Sequence, residues 1–314
     1  MTAISSRLIN GLLSIKPLAD FAKHRARTMM MDRAETIGVY WRDEVKALKA
    51  RGSSEEMDAR WEEERCAIAN PTLTYPRYYT TSFHAYEEGN LGWLPAMEVD
   101  VAARAVHARI WPEGDDRAGI NGDASLRSAY HQILKETVDP PARIVDLGCG
   151  VGSSTRTLQD TFPKAETIGV DLSPYFLTVA QHAERQADRK SSPSIEWIHA
   201  AAEETKLPDN SADLVSACLM FHELPTSAAQ DIISEAYRLV RPGGYFAIMD
   251  MNPKSDVYAK LPPYVLTLLK STEPYLDQYF ELDFEDAFLA AGFSKPKIIK
   301  STPRHRAIIG QKVS

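Results

Sequence analysis

From residue 142 onward, short apolar runs alternate with longer stretches in which apolar residues recur every three or four positions. The runs at 142–147, 166–170, 194–199, 213–219 and 244–250 are too short for helices and read as buried strands. The stretches 152–162, 174–189 and 226–240 between them read as helices. This alternation predicts an α/β architecture with a doubly wound, Rossmann-like, mostly parallel sheet. A helix over Ser125–Val138, stopped by Asp139-Pro140-Pro141, opens that domain.

The first 120 residues follow a different pattern and predict a mainly helical extension, so the chain divides into 1–120 and 121–314. Ile4, Leu8, Leu12, Ile15, Leu18 and Phe21 recur at helical spacing with basic residues around them, although Pro17 interrupts the pattern. Such a helix suits packing on the rest of the chain; a peripheral membrane contact is the competing expectation. Mixed charges over 32–68 predict solvent-facing helices with a turn at Gly52-Ser53-Ser54 and Ser54 as N-cap. An aromatic segment from Pro71 to Trp93 is expected either to pack on the core or to form one wall of a pocket, with His84, Tyr86 and Glu87 as its polar groups. Residues 95–111 read as a further helix and 112–122 as the linker.

Composition narrows the classes. A chain of 314 residues with 44% hydrophobic and 25% charged residues can bury one large core plus an appendage. A net charge of −7 argues against a nucleic-acid partner. Cys66, Cys149 and Cys218 are widely spaced, which predicts neither a metal site nor a disulfide scaffold and suits a reducing, cytoplasmic setting. No apolar run approaches a membrane span and no secretory signal is evident. Residues 1–31 contain Asp20 as their single acid, which leaves organellar import open.

The chemistry concentrates at Asp146-Leu147-Gly148-Cys149-Gly150-Val151-Gly152, placed between a strand and a helix. Glycines there let the backbone turn sharply and approach a ligand, whose polar groups then face helix-start N–H groups. A second strand ends in Gly169-Val170-Asp171-Leu172-Ser173. An acid at that point lies beside the first loop and can accept the hydroxyls of a ribose.

Those two segments, with Leu207-Pro-Asp-Asn-Ser-Ala-Asp213 and Leu239-Val-Arg-Pro-Gly-Gly244, resemble the class I S-adenosylmethionine-dependent methyltransferases over roughly residues 120–314, most closely the ubiquinone/menaquinone C-methyltransferase-like branch. The resemblance implies S-adenosylmethionine as cofactor and an antiparallel edge from the runs 295–300 and 305–311. It implies that Asp146, Gly148, Cys149, Gly150 and Gly152 line the cofactor. Asp171 would take the ribose, Leu172 and the Ala202 backbone the adenine, and Glu203 the acid role left open where Ala201 replaces an expected Asp. The acceptor is expected to be small and hydrophobic or aromatic, methylated on O or C. A protein or peptide acceptor, or a non-catalytic cofactor-binding role, are the alternatives.

His222, after the fourth strand, is the candidate general base, because strand ends face the crevice of an open sheet and histidine titrates near neutrality. Asp250, Tyr264, His84 and Tyr86 are the candidate substrate contacts. Tyr264 and its neighbours in a helical stretch over 260–291 would serve as a lid. Oligomeric state is left open.

Overall fold

The computed structural model describes residues 16–81, 86, 88–187 and 193–313. Seven strands form one sheet: β1 (Arg143–Leu147), β2 (Glu166–Asp171), β3 (Glu196–His199), β4 (Ala212–Cys218), β5 (Val240–Met251), β6 (Lys297–Lys300) and β7 (His305–Gln311). Their order is β3-β2-β1-β4-β5-β7-β6. The first five strands run parallel, and β7 is antiparallel to both β5 and β6. The antiparallel strand is therefore one position inside the edge, and β6 closes the sheet. The order reverses at β1/β4, where open parallel sheets have their ligand crevice.

Period-two alternation sends successive side chains to opposite faces. Val145 and Leu147 of β1, with Val215, Phe246 and Ile308, join Ile232, Ile233 and Phe288 on one face, covered by α8 (Thr226–Leu239) and α12 (Phe284–Ala291). Ile144, Leu214, Ala247 and Ile309 face Leu126, Tyr130 and Leu134 of α5 (Gly122–Thr137) and Leu158 of α6 (Ser153–Thr161). Helix α7 (Pro174–Gln186) starts as its residues dictate: Ser173 Oγ accepts from the Phe176 N–H at 3.2 Å, and Pro174 occupies the first turn.

The extension supplies α1 (Lys16–Thr36), α2 (Trp41–Ala50), α3 (Arg60–Ile68) and α4 (Trp93–His107). Trp41, Trp61, Met97 and Val101 from these helices share a buried cluster with Phe176 and Val179 of α7. These helices thus pack on the sheet domain. Residues 4–15 of the amphipathic stretch lie outside the described residues. No helix among the described residues is long and apolar enough to cross a membrane.

Three local expectations change. Ser54 caps nothing; α3 starts six residues later, where Asp58 accepts from the Arg60 N–H at 2.9 Å and from its guanidinium. The stretch 260–291, which follows a short α9 (Asp256–Ala259), is not one helix but three: α10 (Pro263–Thr272), α11 (Leu276–Glu281) and α12. Pro262 and Asp283 mark two of the breaks, the latter as an N-cap accepting from Glu285 and Asp286 N–H. Strand β5 begins at Val240, because Arg241–Gly244 continue it past an irregularity in the β4 register.

Candidate active site

The turn after β1 requires glycine. Gly148, Gly150 and Gly152 have φ of +64°, +54° and +77°. A Cβ on Gly148 would lie 2.2 Å from Met220 Sδ, and one on Gly152 2.3 Å from the Trp197 ring. Two backbone bonds tie the turn to β2: Cys149 N–H donates to the Val170 carbonyl (3.0 Å) and Gly150 N–H to Asp171 Oδ2 (2.8 Å). Asp146 and Asp171 are thereby set at adjacent strand ends.

Both acids are buried. Thr155 Oγ1 donates to Asp146 Oδ2 at 2.7 Å, while Asp146 Oδ1 and the neighbouring Ser154 Oγ are buried without a hydrogen-bond partner. Burial pushes the Asp146 carboxyl up to about 7, only partly offset by Thr155. Asp171 Oδ1 accepts from Ser173 N–H (2.7 Å) and from the Tyr79 hydroxyl (3.4 Å). Burial raises it to about 6 against these donors and Gly150 N–H. An orphaned carboxylate oxygen beside a tight glycine turn suits a ligand ammonium, and a second acid at the next strand end suits hydroxyls. S-adenosylmethionine carries both groups, so the residues present fit it.

Leu172, next to Asp171 in the chain, and Ala202, after β3, are both buried. The Cys149 thiol is buried, and desolvation holds it in its neutral form. His199 is locked: Nδ1 accepts from Asn70 N–H (2.7 Å), and Nε2 lies 2.9 Å from the Leu172 carbonyl, which makes Nε2 the protonated nitrogen.

The aromatic segment meets the cofactor side of the crevice. The Tyr78 hydroxyl donates to Glu203 Oε1, whose Oε2 is buried without a partner. Tyr79 reaches Asp171 as above, and Tyr75 stacks on Tyr79 with 8° between the rings. No local pattern in the sequence pointed to these contacts, which join residues 92 and 125 positions apart. Of the polar groups expected there, His84 and Glu87 lie outside the described residues. Tyr86 instead donates to Glu98 (2.7 Å), a buried carboxylate also paired with Arg27.

His222 sits in a short turn, Phe221–Glu223, just after β4. Its Nδ1 lies 2.7 Å from Asp250 Oδ1, and its backbone N–H donates to Asp250 Oδ2 at 3.1 Å. Met251 N–H completes the set on Asp250 Oδ1 at 2.7 Å. Burial alone would lower the imidazole, but Asp250, aided by Glu273 and Glu223, outweighs it and raises His222 to about 10. Asp250 is held below the usual carboxylate range, because the His222 charge and these donors outweigh its own burial. This ion pair favours the charged form of His222, the expected general base, in which the imidazole donates hydrogen bonds rather than accepting a proton.

Around this pair, Tyr279 donates to the Met251 carbonyl at 2.5 Å and meets the His222 ring edge-on, with Phe280 beside Tyr279 and Tyr258 beside Phe280. Tyr264 lies on α10, but its side chain is outside the described residues. Among the described residues, no group of His, Cys, Asp and Glu could hold a metal ion.

Comparison with known proteins places this site in context. Residues 145–248 match the family model described as a methyltransferase domain. A trans-aconitate 2-methyltransferase of Azoarcus sp. is 33% identical over 138 residues, covering 44% of this chain and 50% of that protein. A fatty-acid O-methyltransferase of Mycolicibacterium smegmatis is 27% identical over 128 residues, covering 41% of this chain and 44% of its own length. The chain spans about half the length of the curated relatives it matches. Among solved structures, an O-methyltransferase-like protein from Nostoc punctiforme superimposes with a TM-score of 0.54 at 17% identity, over 85% of this chain and 70% of that one. The shared fold is the Rossmann-like methyltransferase sheet with its antiparallel strand.

Proposed function

We propose that this protein is an S-adenosylmethionine-dependent methyltransferase that methylates an oxygen of a small molecule. The observation that carries the reading is the pair of buried acids at adjacent strand ends, with Asp146 Oδ1 unpartnered and the turn after it leaving no room for a Cβ at Gly148 or Gly152. When bound, S-adenosylmethionine supplies a methyl group activated on a sulfonium. Asp146 would receive the ammonium of its methionine moiety, and Asp171 the ribose hydroxyls, with the Tyr79 hydroxyl yielding or sharing that oxygen. Leu172, Ala202 and Glu203 would border the adenine.

On the acceptor side, the chain positions rather than deprotonates. Methyl transfer from a sulfonium is an in-line displacement, and holding the nucleophile against the methyl group can supply much of the rate. His222, charged by Asp250 through Nδ1, would hold an acceptor oxygen with its Nε2–H. Tyr258, Tyr279 and Phe280 favour an acceptor with an apolar or aromatic body. Between O- and C-methylation we favour oxygen, because relatives such as the fatty-acid enzyme are named for it.

Calorimetry with S-adenosylmethionine tests the reading. Wild type should bind with one site, and Asp171→Ala and Gly150→Val should bind much more weakly. Equal affinity in all three would overturn the assignment.

A further inference from the structure

Residues 70–79 of the extension run past the ends of β2 and β3, anchored to the sheet domain. Asn70 N–H donates to His199 Nδ1 at 2.7 Å, and the Tyr75 hydroxyl lies 3.3 Å from Nε2 of the same ring. Further on, Tyr79 N–H donates to the Pro76 carbonyl at 3.0 Å and Thr81 Oγ1 to the Tyr78 carbonyl at 2.9 Å, which closes a turn. That turn sends two consecutive side chains to two different acids: the Tyr78 hydroxyl to Glu203 and the Tyr79 hydroxyl to Asp171. The Tyr79 ring lies stacked on that of Tyr75, with 6.3 Å between centres.

The two contacts differ in what they leave open. A carboxylate offers about four lone-pair directions. On Asp171, three donors are already in place among the described residues: Ser173 N–H (2.7 Å) and the Tyr79 hydroxyl (3.4 Å) on Oδ1, and Gly150 N–H (2.8 Å) on Oδ2. About one direction is left, whereas a ribose brings two neighbouring hydroxyls. Admitting both therefore requires one donor to leave. The Ser173 and Gly150 N–H groups are fixed in the backbone that shapes the site, and their bonds are short. Tyr79 makes the longest of the three bonds and is the one side-chain donor. On Glu203, by contrast, Tyr78 engages Oε1, and Oε2 is buried without a partner among the described residues. A ligand donor can reach Glu203 without displacing Tyr78. Burial, then the charge of the facing acid, hold both hydroxyls in their protonated form, so each remains a donor.

We propose that Tyr79 is a built-in stand-in for the ribose: its hydroxyl holds Asp171 in the ligand-free protein and gives way to the ribose hydroxyls, while Tyr78 stays on Glu203 and positions that carboxylate beside the base. The extension thereby contributes two adjacent residues to the cofactor site, one that competes with the cofactor and one that orients a group for it. These roles rest on the methyltransferase reading for the identity of the ligand.

Calorimetry on the full chain with S-adenosylhomocysteine, and with its analogue lacking both ribose hydroxyls, tests them. Tyr79→Phe keeps the ring and removes the competing hydroxyl, so it should bind S-adenosylhomocysteine about threefold tighter or more than wild type, the scale of one modest hydrogen bond. Tyr78→Phe also keeps its ring, and should bind about threefold weaker or more, because Glu203 loses the donor that holds it. Loss of two merely structural bonds would shift these neighbours in the same direction. The analogue has no hydroxyl to place on Asp171, so wild type and Tyr79→Phe should bind it alike. A wild type that binds neither ligand overturns the methyltransferase reading and these roles with it. A wild type that binds S-adenosylhomocysteine, with Tyr79→Phe equal or weaker, overturns the competing role alone, as does a gain in Tyr79→Phe that persists with the analogue. Tyr78→Phe binding as tightly as wild type overturns the positioning of Glu203.

Discussion

Replacing Asp146 by asparagine should stabilise the ligand-free protein above neutrality while weakening its cofactor site. The Asp146 carboxyl ordinarily titrates at 3.8 and is raised to about 7 in the fold, with burial as the largest cause. The folded chain therefore holds this proton more tightly than the unfolded chain. Stability is lost as pH rises from about 4, and the loss is complete above about 7. The interval from 3.8 to about 7, at about 1.4 kcal/mol per pH unit, sets that loss at about 4 kcal/mol. Asparagine carries no charge, so it escapes the loss, and its carbonyl can still accept from Thr155 Oγ1. Its NH₂ would occupy the position of Oδ1, buried and without an acceptor, at a cost of about 1–3 kcal/mol. The net expectation for Asp146→Asn without ligand is a gain of about 1–3 kcal/mol at pH 8 and a loss of up to about 2 kcal/mol at pH 4.5, where the wild type has given up only about 1 kcal/mol of the linkage term. Urea unfolding at the two pH values reads the difference directly. S-adenosylmethionine affinity should fall at least about tenfold, because the charged partner of the ammonium is gone. A variant equally destabilised at both pH values would refute the claim that burial strands this carboxylate.

Further expectations follow from the same geometry. In Asp250→Asn, His222 should titrate well below the wild-type imidazole in an NMR pH series, since Glu273 and Glu223 alone then oppose burial; an imidazole still protonated at pH 9 would contradict the ion pair. In wild type, the stabilising contribution of His222 should be complete below about 6.5 and disappear as pH rises through about 10. Gly152→Ala forces a Cβ into left-handed backbone against Trp197, and should lower urea stability by about 1–3 kcal/mol from backbone strain alone; a change under about 0.5 kcal/mol would show that the turn relaxes freely. Glu98→Gln leaves Arg27 without its carboxylate and should cost about 2 kcal/mol, with faster amide exchange in α1; unchanged exchange there would mean that the pair does not hold the helix down.

The site was legible where its chemistry is local. Asp146, the three glycines and Asp171 belong to one strand–turn–helix–strand unit, so spacing alone put them together. The parallel part of the sheet was legible because short apolar runs alternate with helical stretches. The His222–Asp250 pair was not, because it joins neighbouring strands through residues 28 positions apart, and the proton on His222 depends on that contact. The same holds for Tyr78 and Tyr79, whose partners come from the far half of the chain. Helix ends failed for a different reason. Ser54 and Asp58 both suit a cap, and tertiary placement of Trp61, fully buried with its indole N–H on the Lys49 carbonyl, selects the later start. Within 260–291, helical periodicity concealed the breaks at Pro262 and Asp283, although both are ordinary helix boundaries.

Methyl transfer itself is the most direct test of the account. Purified protein would be incubated with methyl-labelled S-adenosylmethionine and a small-molecule extract, and label would be followed by mass spectrometry. The account predicts label in a small molecule from wild type and none from Asp171→Ala. Equal transfer by Asp171→Ala, or no transfer by a wild type that binds the cofactor and is supplied with the full extract, would contradict it.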